Sequence, residues 1–128
     1  MPVAIEFTLN QRVIVYQISD PLEMEEILEA YKKERAFRDS TPNTVHSIVD
    51  MSQVARIPKN WLTAKAGPGF SHPRSGIIIL VGLTPGLRII LQVILRFTKY
   101  PRLRYFETRA EAEAFVRDLI ATEQAATV

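Results

Sequence analysis

"GIIILVG", residues 76–82, sets five apolar residues between two glycines with no polar residue in alternation. A strand that faces water on one side alternates, so an unbroken apolar run fits a central strand buried on both faces. Sheets of that kind are parallel, and parallel strands need long crossover connections, usually helical. The flanking sequence supplies them. Downstream, Thr84-Pro85 caps a helix predicted to run from Gly86 to about Lys99, before Pro101. Upstream, the strand Val45 to Asp50 turns into a short helix from Pro58 or Lys59 to Ala66, which Gly67-Pro68-Gly69 stops.

The remaining elements follow outward from this centre. Val3, Ile5, Phe7 and Leu9 share one face of a first strand, and residues 12–18 form a second β-branched run, so Asn10-Gln11 reads as the turn of an antiparallel hairpin. Asp20-Pro21-Leu22-Glu23 opens an amphipathic helix reaching about Phe37, with Ile27, Leu28 and Tyr31 at helical spacing. Its charged residues Glu25, Glu26, Glu29, Lys32 and Lys33 are expected on a solvated face rather than across a cleft. Arg102 to Glu107 makes the last strand. Thr108-Arg109-Ala110-Glu111 is a capping box for a final helix carrying Ala112, Phe115, Val116, Leu119 and Ile120. The order ββαβαβαβα implies one α/β domain over residues 1–128: a mixed sheet of about five strands with an opening antiparallel hairpin and helices packed on it.

Composition narrows the function classes. The chain has no Cys, which removes disulfides, thiolate nucleophiles and Cys-based zinc sites. The first twelve residues carry no basic segment or apolar core of an export signal, so a cytoplasmic protein is expected. Charge is segregated. Residues 1–55 hold 5 cations and 9 anions, residues 56–109 hold 10 and 1, and residues 110–128 hold 1 and 4. The basic middle is expected to sit opposite the acidic first and last helices. It lacks a nucleic-acid-binding module or interleaved aromatics, so no nucleic-acid partner is expected.

The chemistry-bearing residues are few. His46 and His72 are the only imidazoles, and a Ser52, His72, Asp50 triad has no G-x-S-x-G elbow to support it. The same histidines with Asp50 lack metal-ligand spacing, and "GPGFSHPRSG" (67–76) precedes a strand where a phosphate cradle precedes a helix. No enzyme activity, metal or cofactor is expected.

"TVHSIVDMSQVARIPKNWL" (44–62) and "RLRYFETRAEAEAFVRDLI" (102–120) resemble the corresponding stretches of the STAS-like group, sulfate transporter and anti-sigma factor antagonist domains, especially its bacterial anti-sigma-antagonist branch. The resemblance implies a regulatory domain that binds protein partners. In signalling members the turn after this strand reads D-S-S-G-L, with a phosphorylated serine at the helix start. Here Pro58, Lys59, Asn60 and Trp61 stand before Leu62, so the regulatory turn is degenerate at Lys59, Asn60 and Trp61 and its hydroxyl is missing. A cation at Lys59 replaces the group whose phosphate would sit at a helix N-terminus.

The helix from Gly86 to Lys99 carries more apolar surface than one sheet face can cover. Leu87, Ile89, Ile90, Leu91, Val93, Ile94, Leu95 and Phe97 surround a narrow stripe of Arg88, Gln92 and Arg96. A membrane span is not expected, since Thr84-Pro85-Gly86 interrupts the run and each Arg would cost about 2.5–3.5 kcal/mol near a bilayer centre. A homodimer through Ile90, Val93, Ile94 and Phe97 is the leading expectation. The alternative draws on the similarity of STAS-like domains to CRAL-TRIO lipid-transfer domains. The same apolar residues would then hold a lipid or other hydrophobic ligand, with Arg88, Arg96 and Lys99 attracting its anionic group.

Overall fold

A computed structural model of the chain describes residues 3–8, 12–19, 24–54, 75–89, 92 and 103–126. β1 (Val3–Thr8) and β2 (Val13–Ser19) form the expected hairpin, Val3 opposite Ile18 and Thr8 opposite Val13. Then come α1 (Met24–Ser40), β3 (Val45–Gln53), β4 (Ser75–Val81), a helix α2 that opens at 85 and is described to 89, β5 (Leu103–Phe106) and α3 (Arg109–Ala126). The short helix expected from 58 or 59 to 66 lies outside the described residues, as does all of the 86–99 helix beyond Ile89 except Gln92, which is helical and exposed.

The sheet has the order β1-β2-β3-β4-β5, with β1 antiparallel to β2 and every later pair parallel. β2 to β5 lie side by side in chain order, and the described parts of the β2–β3 and β4–β5 connections fall on the same face. That face carries α1 and Leu87 of α2, packed with Ile14, Tyr16, Ile18, Val45, Met51, Ile78 and Leu80. After β5 the chain turns back, and α3 lays Ala112, Val116 and Ile120 over Val13, Val15, Ile48, Ile79 and Val81 on the opposite face. The unbroken apolar run of β4 is thereby explained: Ile78 and Leu80 enter one core while Ile79 and Val81 enter the other.

Local chemistry fixes the element ends. Glu25 and Glu26 occupy the first turn of α1, where a helix end carries partial positive charge, and Ser40 Oγ closes the last turn by donating to the Phe37 carbonyl at 2.7 Å. Thr108 caps α3 as expected: its Oγ1 accepts from the Glu111 amide at 3.3 Å and donates to the Glu111 carboxylate at 2.9 Å. β3 runs three residues past the expected Asp50, because Met51 continues the inward alternation and Asp50 holds the exit turn. Gly82 ends β4 at φ 72°, a conformation that favours glycine, and a Cβ there would lie 2.6 Å from that of Ser52.

Candidate functional site

The strand-exit turn of β3 lies at the C-terminal edge of the parallel strands, where open α/β sheets commonly bind ligands. Asp50 is buried on the α3 side, and its Oδ1 accepts from both the Ser52 amide (3.0 Å) and the Ser52 hydroxyl (2.7 Å). This is a capping arrangement that stabilises the turn. Gln17, level with Asp50 on the neighbouring strand, accepts from Arg109 of α3 at 3.4 Å, and Arg109 also pairs with Glu113 (3.0 Å) and Glu6 (3.6 Å). The polar groups of this edge therefore knit β1, β2 and α3 together.

His46 stands at the other end of β3, six residues from Ser52 and so about 20 Å away along the strand. Its side chain is buried. Nδ1 accepts from the Ile77 amide at 3.0 Å, which leaves Nε2 to donate to Glu123 of α3 at 2.9 Å, and Glu123 also pairs with Arg12. Burial holds the imidazole below its ordinary pKa against the opposing pull of Glu123. Gly76 makes room for the ring: a Cβ there would stand 2.2 Å from Nδ1. A nucleophile at Ser52 and a base at His46 are thus held apart, and His72 lies outside the described residues.

A third polar cluster is sealed between α1 and the sheet. Arg38 is 0% exposed and donates to Glu34 (2.7 Å), the Val45 carbonyl (2.8 Å) and Ser47 Oγ (2.7 Å), while the Tyr16 hydroxyl donates to the other Glu34 oxygen. Burial first, and Glu34 second, raise the Tyr16 pKa far above its usual range and push Tyr31 up to about 12. Both phenols remain protonated at any ordinary pH. Sequence reading missed this cluster, because a Glu and an Arg four apart on a helix have the same signature when solvated.

Of the residues the sequence singles out, Arg88 is described: its guanidinium lies over the Tyr105 ring, 4.1 Å from the centroid, and also donates to the Tyr105 hydroxyl. Leu87 is buried and Ile89 is 64% exposed, so the helix opens with apolar surface on both sides. Lys59, Asn60, Trp61, Ile90, Val93, Ile94, Phe97, Arg96 and Lys99 lie outside the described residues.

Sequence reading places Glu25, Glu26 and Glu29 on a solvated face; Glu25 and Glu29 are exposed and Glu26 is half-buried, and the same face borders a groove that the sequence reading did not anticipate. α1 sits over the sheet so that one flank stands beside β1, leaving a groove of about 730 Å³ between them. Val3, Ile5 and Phe7 form its floor, Ala30, Ala36 and Phe37 its inner wall, and Glu25, Glu26, Glu29 and Lys33 its rim. Phe7 stacks on Phe37 with ring centroids 4.3 Å apart yet remains 41% exposed. The missed signal was positional. Residues 25, 26, 29 and 33 fall on one flank at 100° per residue, and the first strand of a hairpin ahead of a parallel sheet is an edge.

No helix among the described residues is long and apolar enough to cross a membrane, and among those residues no group of three or more His, Asp or Glu stands where it could hold a metal ion. No protein-family model matches the chain, and no curated protein matches it.

Proposed function

We propose that this chain is a non-catalytic, STAS-like interaction domain that works by binding a protein partner along the edge formed by β1 and α1. The observation that carries this is the groove itself: a half-exposed apolar ladder, Val3, Ile5 and Phe7, left beside a helix flank that does not cover it. A concave apolar strip rimmed by charged residues is a surface that a partner can cover. The engagement of Ser52, Asp50, His46, Tyr16, Glu34 and Arg38 in bonds that hold turns and helices supports the same reading.

The family's phosphoserine switch is absent from this proposal. Lys59 and Asn60 offer no hydroxyl, and a phosphate on Ser52 would set a dianion against the Asp50 carboxylate that now accepts its proton. The test is retention of a binding partner on the immobilised chain. Phe7→Glu, which puts a charge on the groove floor, should abolish retention of a partner then purified and rebound, while shifting the melting temperature by only a few degrees. Undiminished binding by Phe7→Glu would move the interface elsewhere.

A second reading, a hydrophobic-ligand or membrane-surface module, draws on Ile89, exposed beside Arg88 at the start of α2. Cosedimentation with anionic vesicles at low and high salt separates the two, since binding through Arg88 would weaken with screening. A chain that stays in the supernatant at low salt counts against lipid binding.

A further inference from the structure

We propose that the β1 edge takes up an extended, basic segment of another protein as a sixth strand, with its cationic side chains on the acidic rim of the groove. This rests on the interaction reading above and adds the chemistry of the partner. Among the described residues β1 ends the sheet, so alternate residues of Val3–Thr8 turn their N–H and C=O groups away from β2. Native edges are usually blunted by Pro, Lys, a bulge or a cover. VAIEFT has no Pro, Gly or Lys, and its pairing with β2 runs through six consecutive residues without a bulge. Its one charge, Glu6, faces the other side and is paired with Arg109. An edge of this kind is suited to strand addition, in which main-chain hydrogen bonds give affinity and alternate side chains give specificity.

The rim decides which strand. Glu25, Glu26 and Glu29 line it with Lys33, and Glu29 also meets Lys32 at 3.5 Å, so the three carboxylates still outnumber the two cations. Oε2 of Glu26 is shut off from solvent and has no hydrogen-bond partner. A carboxylate oxygen in that state gains from any donor that reaches it, above all an ammonium or guanidinium. In an added strand, every second side chain would lie on the α1 side of the sheet, beside this flank. Lys or Arg there would lay an apolar stem over Val3, Ile5 and Phe7 and bring the charge to the carboxylates. A second copy of the chain pairing through its own β1 would bring another acidic rim against this one. Anionic lipid is repelled for the same reason.

Fluorescence anisotropy of three labelled heptapeptides against the full-length chain tests this, with amide hydrogen exchange of residues 3–8 as the second readout. The peptides alternate Val with Lys, with Thr or with Glu. Expected is binding of the Lys peptide at least tenfold tighter than the Thr peptide, weakened by salt, with slowed exchange across β1. Glu26→Gln with Glu29→Gln should cost the Lys peptide most of that preference and leave the Thr peptide unchanged. Methylating alternate amides of the Lys peptide should abolish binding on the β1-facing side. If the Thr peptide binds as tightly as the Lys peptide and protects β1, the basic partner is overturned while the interaction site stands. If no peptide protects β1, both proposals fall. A chain that sediments as a dimer with β1 already protected would assign the edge to a second copy and overturn the inference.

Discussion

His46 has each ring nitrogen committed to a different partner, and its neutral state is part of the structure. Burial is the main cause of its lowered pKa; Glu123 opposes it, and Arg12 and Arg38 add to it. The unfolded chain takes up this proton near the ordinary value of about 6.5, whereas the folded chain resists it. Stability from the neutral ring is therefore complete above that pKa and declines as pH falls through it toward the lower folded value. The slope for one proton is at most about 1.4 kcal/mol per pH unit. Denaturant melts between about pH 5 and 8 should show this decline, and His46→Gln, which cannot take up the proton, should flatten it. Equal slopes in the two proteins would place the acid sensitivity in another group. In the sequence His46 is legible as a strand residue and Gly76 as a strand boundary. That the glycine exists to seat the imidazole is not legible, because the two are thirty residues apart and meet only through the β3–β4 register.

At the scale of elements, α1 is held to the sheet by hydrogen bonds from its buried Arg38–Glu34 pair as well as by apolar contacts. Arg38→Met would leave the Glu34 carboxylate buried with only the Tyr16 hydroxyl, and an uncompensated buried charge of this kind costs about 3–5 kcal/mol. Adding Glu34→Gln removes the charge, so the double variant should recover part of that loss in a denaturant melt. A double variant no more stable than Arg38→Met would mean the charge itself is not the source of the cost. The hairpin, α1, β4 and the capped α3 were all legible, because periodicity and caps are local signals. The extension of β3 through Gln53 was not: it depends on Met51 and Val54 finding a core that other elements build.

At the scale of the whole molecule, the segregated charge meets its opposite only in part among the described residues. Arg109 of the basic middle reaches Glu6 and Glu113, and Arg12 of the acidic part reaches Glu123, but Arg88 goes to Tyr105 and Arg104 to the Leu103 carbonyl. Sequence composition carries the imbalance without saying which charges the fold brings together. Winding the sheet in one direction has a further effect. Among the described residues the second face, Val13, Val15, Ile48, Ile79 and Val81, is covered by α3, the last element of the fold. During synthesis all five strands leave the ribosome before their cover does. At roughly 5–20 residues per second, the final helix arrives on the order of one to four seconds later. A chain stopped after Glu107 should therefore aggregate or bind a hydrophobic dye, and supplying residues 108–126 as a separate peptide should suppress both; a soluble, dye-free fragment would show that the face closes on itself. The nascent protein thus passes through a stage in which half its core is open to chaperones, and its yield in a cell depends on how quickly residues 108–126 follow the strands.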